Sequence, residues 1–157
     1  MSFVPPLNFA QVLPGVYRSG YPNKRNHGFL KKLKLKSILY LCPDSYTKDN
    51  EVFVNEEDIR FFHCQLSGNK EPFVEIDRND ITKALSIILD TENHPILVHC
   101  NKGKHRVGCV VAALRKIHGW SLTSIFDEYE RFAGAKVRIA DLEFIELFVP
   151  NLSSITH

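Results

Sequence analysis

No stretch of this 157-residue chain is apolar for long enough to cross a bilayer, which takes about 20 such residues, so no membrane insertion is expected. The first residues, Met1-Ser2-Phe3-Val4-Pro5-Pro6, carry neither a basic run nor a long apolar segment, and no signal peptide is expected. Cysteine is scarce. The four residues, Cys42, Cys64, Cys100 and Cys109, include no C-x-x-C pair, and no histidine pair stands beside them at metal-ligand spacing. A structural zinc site is therefore not expected. Cys42 and Cys64 lie in or beside apolar runs and read as buried, reduced thiols. With the missing signals, this points to a cytoplasmic location, with the nucleus as a second one. The net charge is only +2. That is too little to argue for nucleic acid, although local clustering of cations can still serve an anionic ligand. Repeats, low-complexity tracts and linkers are also missing, so one domain over residues 1–157 is expected.

What is present alternates between two periods. Pro5-Pro6 makes residues 1–12 read as irregular. A turn and short strand follow at 13–18. Asn26 is placed to cap a helix carrying Phe29, Leu30 and Leu33 inward and Lys31, Lys32 and Lys34 outward. Ser37–Leu41 reads as a strand stopped by Pro43, residues 49–57 as an acidic helix, and Arg60–Cys64 as another strand. After a loop at 67–72, Asn79 or Asp80 is expected to cap a helix with Ile81, Ala84, Leu85 and Ile88 on one face. Pro95–Val98 is a strand. Three helices then follow, separated by Gly119-Trp120-Ser121 and Gly134, the last expected to be capped by Asp141. The order predicts an α/β fold, with a small central, largely parallel sheet flanked by helices.

One stretch interrupts the apolar pattern. His99-Cys100-Asn101-Lys102-Gly103-Lys104-His105-Arg106-Val107-Gly108 joins a buried strand to the start of a buried helix. A cysteine at a strand end, with an arginine six residues on and a helix N-terminus behind the loop, suits a thiolate beneath a phosphate. Backbone N–H groups of a tight loop and the helix dipole concentrate donors where a dianion would sit. Gly103 permits a positive φ and close approach of a ligand, and Gly108 permits close helix packing. Arg106 can grip two oxygens with its planar fork. The same field favours the thiolate of Cys100, which can attack phosphorus and form a phosphocysteine that water hydrolyses. His99 reads as an orienter of the loop and not as a base. A sulfur-transfer domain also cradles an anion beside a cysteine, but its usual loop is one residue shorter.

His-Cys-x-x-Gly-x-x-Arg-x-Gly resembles the signature of the protein tyrosine phosphatase superfamily. A fuller resemblance is to the plant and fungal atypical dual-specificity phosphatases, the inositol-pyrophosphate phosphatase group. It is carried by Asn8-Phe9, Val16–Pro22, Leu33–Ile38, Ser67–Phe73, the loop itself, Trp120-Ser121-Leu122 and Ile125–Tyr129, and spans about residues 8–149. The resemblance implies the dual-specificity type of fold and a metal-free phosphohydrolase that needs no cofactor. Its substrate would be a diphosphoinositol polyphosphate, with loss of the β-phosphate and a preference for the 5-position. Phosphotyrosine peptides would be weaker substrates. A polyanion suits Asn101, Lys102, Gly103, Lys104, His105 and Arg106 of the loop, with Lys70, Arg18, Lys136 and Arg138 added from elsewhere in the chain.

Two positions depart from the superfamily pattern. The loop about thirty residues before the cysteine usually holds an aspartate as general acid. Here it holds Glu71, with Asp77 a more distant carboxyl group. A phosphate leaving group needs a strong acid less than an alkoxide does, which favours a pyrophosphate substrate. Val107 stands where serine or threonine would hydrogen-bond the cysteine sulfur. The alternatives are a phosphotyrosine or dual-specificity protein phosphatase, a phosphate-binding module with little turnover, and a pyrophosphatase acting on other nucleotides or polyphosphate. A deep aromatic cleft would favour a phosphoprotein substrate, and a wide basic mouth an inositol pyrophosphate.

Overall fold

A computed structural model describes residues 3–69 and 76–151. Among the described residues five strands form one sheet: β1 (Ala10–Leu13), β2 (Val16–Ser19), β3 (Ser37–Tyr40), β4 (Arg60–His63) and β5 (Ile96–His99), in the order β1-β2-β5-β3-β4. All neighbours are parallel except β1, which returns antiparallel along β2. The largely parallel α/β sheet expected from the alternation of elements is the one observed. Six α-helices accompany it among the described residues: α1 (His27–Leu33), α2 (Lys48–Glu56), α3 (Arg78–Leu89), α4 (Arg106–Ile117), α5 (Leu122–Ala133) and α6 (Ile139–Leu147).

Every residue of β3 and β5 is buried, as parallel strands covered on both faces must be. The apolar sequence of α4 has the same cause. Its residues Val107–Arg115 are all buried, in contact with α3, α5 and α6. A second, small core of Ala112, Ile125, Tyr129, Ala133 and Ile145 locks α4, α5 and α6 together. Gly108 permits that approach, because a Cβ there would stand 2.9 Å from the Tyr129 ring. Among the described residues no helix is long and apolar enough to cross a membrane.

Four local expectations are corrected. Residues 10–12, read as irregular, form β1 together with Leu13, because pairing with β2 supplies what four residues cannot supply alone. Asn26 precedes α1 but makes no side-chain cap bond; Asn23 caps the 3-10 turn just before it, in a capping box with Asn26. The cap of α3 is Asp77, not Asn79 or Asp80, its side chain accepting from Asn79 N at 2.7 Å. Asp141 lies inside α6 and is fully buried, accepting from the Tyr129 hydroxyl and from Asn69 Nδ2.

Topology positions the loop. Ser19 and Tyr40 both pair with His99, so β2, β5 and β3 end level with one another. The loop after β5 emerges at the carboxyl ends of the parallel strands, where open α/β sheets place their ligand crevice.

Candidate active site

Cys100 follows the central strand and is 3% exposed. The loop behind it is held by its carbonyls. The Cys100 carbonyl accepts from His99 Nδ1 at 3.1 Å, that of Asn101 from Tyr21 N at 2.9 Å, that of Lys102 from Asn8 Nδ2 at 2.7 Å, and that of Gly103 from Arg18 Nη2 at 3.1 Å. In a trans peptide the C=O and the next N–H point in opposite directions. Four successive carbonyls tied outward therefore turn the following N–H groups inward. One of these, Gly103 N–H, is seen on Cys100 Sγ at 3.3 Å. Gly103 has φ +75°, and a Cβ there would stand 2.7 Å from Gly20 N and 2.9 Å from the Ser19 carbonyl carbon. The expected positive φ is present, and glycine is also required by the backbone at the end of β2, in addition to the expected close approach of a ligand.

His99 is wholly buried, and desolvation pulls its pKa down to about 4. It is a neutral imidazole at neutral pH. A carbonyl can only accept, so Nδ1 carries the proton and Nε2 accepts from the Tyr46 hydroxyl at 2.8 Å. Stacked Tyr40 and Tyr46 and edge-on Tyr21 fix the ring. This is the geometry of an orienter.

Arg106 opens α4 and folds back toward the loop after β4. Its Nε donates to the Leu66 carbonyl at 2.8 Å, Nη2 to the Ser67 carbonyl at 3.1 Å, and Nη1 lies 3.7 Å from Cys42 Sγ. Among the described residues these contacts engage three of its five N–H groups, and two are left for an anion. The N-cap position of α4, His105, makes no side-chain cap bond, so side chains do not compete for the first N–H groups of the helix. Its ring Nε2 instead donates to the Lys136 carbonyl at 2.7 Å, which ties the segment before α6 to the loop.

The resulting cavity, about 160 Å³, is lined by Cys100, Asn101, Lys102, His105, Arg106 and Arg138. A larger groove of about 330 Å³ between Lys24, Asp49 and Glu56 holds no cysteine. Of the residues expected at the site, the cavity brings together those six. Lys104 is half-buried in the loop, and Lys136 is exposed and contributes its carbonyl. Arg18 is corrected: it is 1% exposed, with its guanidinium bonded to the Gly103 carbonyl, so it meets the loop and not a substrate. Asp77 caps α3 and is absent from the cavity lining. Lys70 and Glu71 lie outside the described residues.

The model of the tyrosine phosphatase family matches residues 3–157. The chain belongs to this family. It is 54% identical to inositol diphosphatase DSP1 of Oryza sativa subsp. japonica, over 98% of this chain and 68% of that protein. It is 52% identical to inositol diphosphatase DSP4 of Arabidopsis thaliana, over 99% of this chain and 77% of that protein. Among solved structures, the core catalytic domain of the PP-IP phosphatase SIW14 from S. cerevisiae, in complex with citrate, superposes with a TM-score of 0.89. The two are 47% identical, with 94% of this chain and 89% of that one covered. The His99–Gly108 stretch lies within the matched residues.

Sequence reasoning missed several residues that build the site. Asn8 was part of the resemblance, but nothing local told that its side chain would reach Lys102, 94 residues away. The carbonyls of Leu66 and Ser67 carry no side-chain signal at all. Cys42, expected as a buried reduced thiol, is free and buried as expected, yet it also lies against Arg106. Burial pushes its thiol up to about 11, which keeps it neutral at neutral pH.

Proposed function

We propose that this chain is an inositol-pyrophosphate phosphatase, removing the β-phosphate of diphosphoinositol polyphosphates, with the 5-position favoured. The observation that carries the reading is the lining of the cavity. Lys102, His105, Arg106 and Arg138 surround the nucleophile, and among the described residues no carboxylate lines it. Such a mouth repels nothing on a densely phosphorylated ring and offers several cations to it. Relatives named inositol diphosphatases that match nearly the whole chain support the same substrate.

The Cys100 thiolate attacks the β-phosphorus, forming an S–P bond as the P–O bond to the bridging oxygen breaks. The electron pair leaves on the inositol phosphate. Arg106 and the inward N–H groups of the loop hold the three equatorial oxygens, and the charge that develops on them is stabilised by donors already in place. Water then attacks phosphocysteine, releasing inorganic phosphate and regenerating the thiolate. The leaving group is a phosphate, so proton donation is less demanding than for an alkoxide. Glu71 is the carboxyl group assigned to it, acting with Lys70, with Asp77 the weaker choice. Lys136 and Arg138 are assigned to the phosphates flanking the reacting one. All four cysteines are free among the described residues, and a thiolate nucleophile suits a reducing compartment, the cytoplasm or nucleus.

The test is turnover by wild type and Cys100→Ser of diphosphoinositol pentakisphosphate, a phosphotyrosine peptide and an aryl phosphate, with chelator present. Wild type is expected to prefer the inositol pyrophosphate, and Cys100→Ser to lose all three activities. A preference for the peptide would move the assignment to a phosphoprotein phosphatase. Activity surviving in Cys100→Ser would overturn the mechanism.

A further inference from the structure

Arg18 is a buried cation that the reaction as described does not use. It sits on β2, opposite Val98 of β5, so it stands beneath the loop that follows His99. It is 1% exposed. Its Nη2 donates to the Gly103 carbonyl, and its guanidinium carbon lies 3.8 Å from the centre of the Phe132 ring of α5. Neither Nε nor Nη1 has a hydrogen-bond partner among the described residues. A guanidinium so desolvated is costly, and stability alone would be better served by an apolar side chain.

The charges around it show what it is facing. Burial pulls Arg18 down to about 10, which leaves it protonated at neutral pH. Glu128 of α5 favours its charge, as Cys100 does when ionised; Arg115 of α4 and Arg131 of α5 oppose it. Glu128 is engaged by Arg115, through paired bonds of 3.0 and 2.9 Å. The other thiols in the field of Cys100 are Cys42 and Cys109, both pushed up by burial and so uncharged. Arg106 lies on the cavity side. Arg18 is the cation behind the loop, screened from water by the fold and by Phe132.

We propose that Arg18 is a positioning residue that prepares the nucleophile in two ways. Its bond to the Gly103 carbonyl turns the next N–H, that of Lys104, toward the phosphate. Its charge, held in a dry environment, favours the thiolate of Cys100 before any substrate arrives. The inference rests on Cys100 being the nucleophile, but not on which phosphate compound is the substrate.

Alkylation of Cys100 by iodoacetamide, followed across pH with and without inorganic phosphate, separates these parts. Arg18→Gln keeps a donor for Gly103 and removes the charge; Arg18→Lys keeps the charge and loses the planar fork. Arg18→Gln is expected to move the pH midpoint of alkylation upward by roughly one pH unit. Arg18→Lys is expected to leave the midpoint within a few tenths of wild type, and to need several-fold more phosphate for half-protection. Both variants are compared only after circular dichroism and thermal unfolding show a folded chain. A wild-type midpoint in folded Arg18→Gln, or an equal upward shift in folded Arg18→Lys, overturns the charge role. Wild-type phosphate protection in both overturns the loop role. Should Arg18→Gln fail to fold, Arg18→Met, uncharged and able to pack on Phe132, takes its place, and a wild-type midpoint in it overturns the charge role. The alkylation profile involves no turnover, so an error in the substrate assignment leaves it unchanged.

Discussion

Asn69 donates to Asp141 at 2.9 Å, joining the loop after β4 to the last helix across 72 residues of sequence. Both side chains are buried. The same amide accepts from Ile76 N at 2.7 Å, so one residue spans the two described ends of the loop and anchors them to α6. The carbonyls of Leu66 and Ser67 just before it hold Arg106. Asn69→Ala leaves the Ile76 N–H and an Asp141 oxygen without a partner, at about 1–3 kcal/mol for each buried group. Urea unfolding should therefore show a loss of about 3 kcal/mol. Because Arg106 loses its backing, kcat/KM should fall more than tenfold in the fraction that remains folded.

Gly103→Ala meets backbone that cannot move aside. The new Cβ would stand 2.7 Å from Gly20 N, at a φ of +75° that L side chains rarely adopt. The loop must shift and lose its Asn8 and Arg18 ties, so kcat/KM should drop at least a hundredfold. Gly119→Ala is the control, with φ +78° and no atom within 4 Å of its Cβ. It should cost about 1 kcal/mol of backbone strain, visible in thermal unfolding, and leave turnover unchanged.

His99 makes stability depend on pH in a defined window. In the unfolded chain it titrates near 6.5, and in the folded chain near 4. Between these values the unfolded state binds the extra proton. Stability is therefore greatest above pH 6.5 and falls as pH is lowered toward 4, by about 3 kcal/mol at most. Urea unfolding at pH 7.5, 5.5 and 4.5 measures this. His99→Gln should be less stable at pH 7.5 yet show a flatter dependence across the window.

Two ion pairs should behave oppositely. Arg115 and Glu128 are both buried, and Arg115 also donates to the Val12 carbonyl. Glu128→Gln leaves buried cations uncompensated and should cost about 3–5 kcal/mol in chemical unfolding. Lys31 and Glu57 meet at 3.7 Å on the surface, where water screens them. Lys31→Ala should change stability by less than about 0.5 kcal/mol.

Elements with many apolar residues in register were legible from the sequence. Ile81, Ala84, Leu85 and Ile88 fall on one side of α3, and all four are buried. β3 and β5 appear as uninterrupted apolar runs because both their faces are covered. β1 was not legible, since four residues behind two prolines carry little pattern and pair only once β2 is in place. Asp141 was misread for a related reason. An acidic residue near the start of a helix suits a cap, and only the arrival of Tyr129 and Asn69 makes it a buried acceptor.

At the site, the cysteine, the arginine six residues later and the glycine between them follow from local chemistry: a thiolate, a fork and a tight turn at a helix N-terminus. The sequence by itself therefore determined the parallel α/β layout and singled out the loop to which the nucleophile and the phosphate grip are here assigned. Only the tertiary structure decided which groups hold the loop open to an anion. Asn8, Arg18 and Tyr21 reach its carbonyls from β2 and the segments beside it, and Leu66 and Ser67 reach Arg106 from beyond β4. These contacts join residues distant in the chain, several of them through main-chain atoms that every residue shares, so no side-chain pattern could announce them.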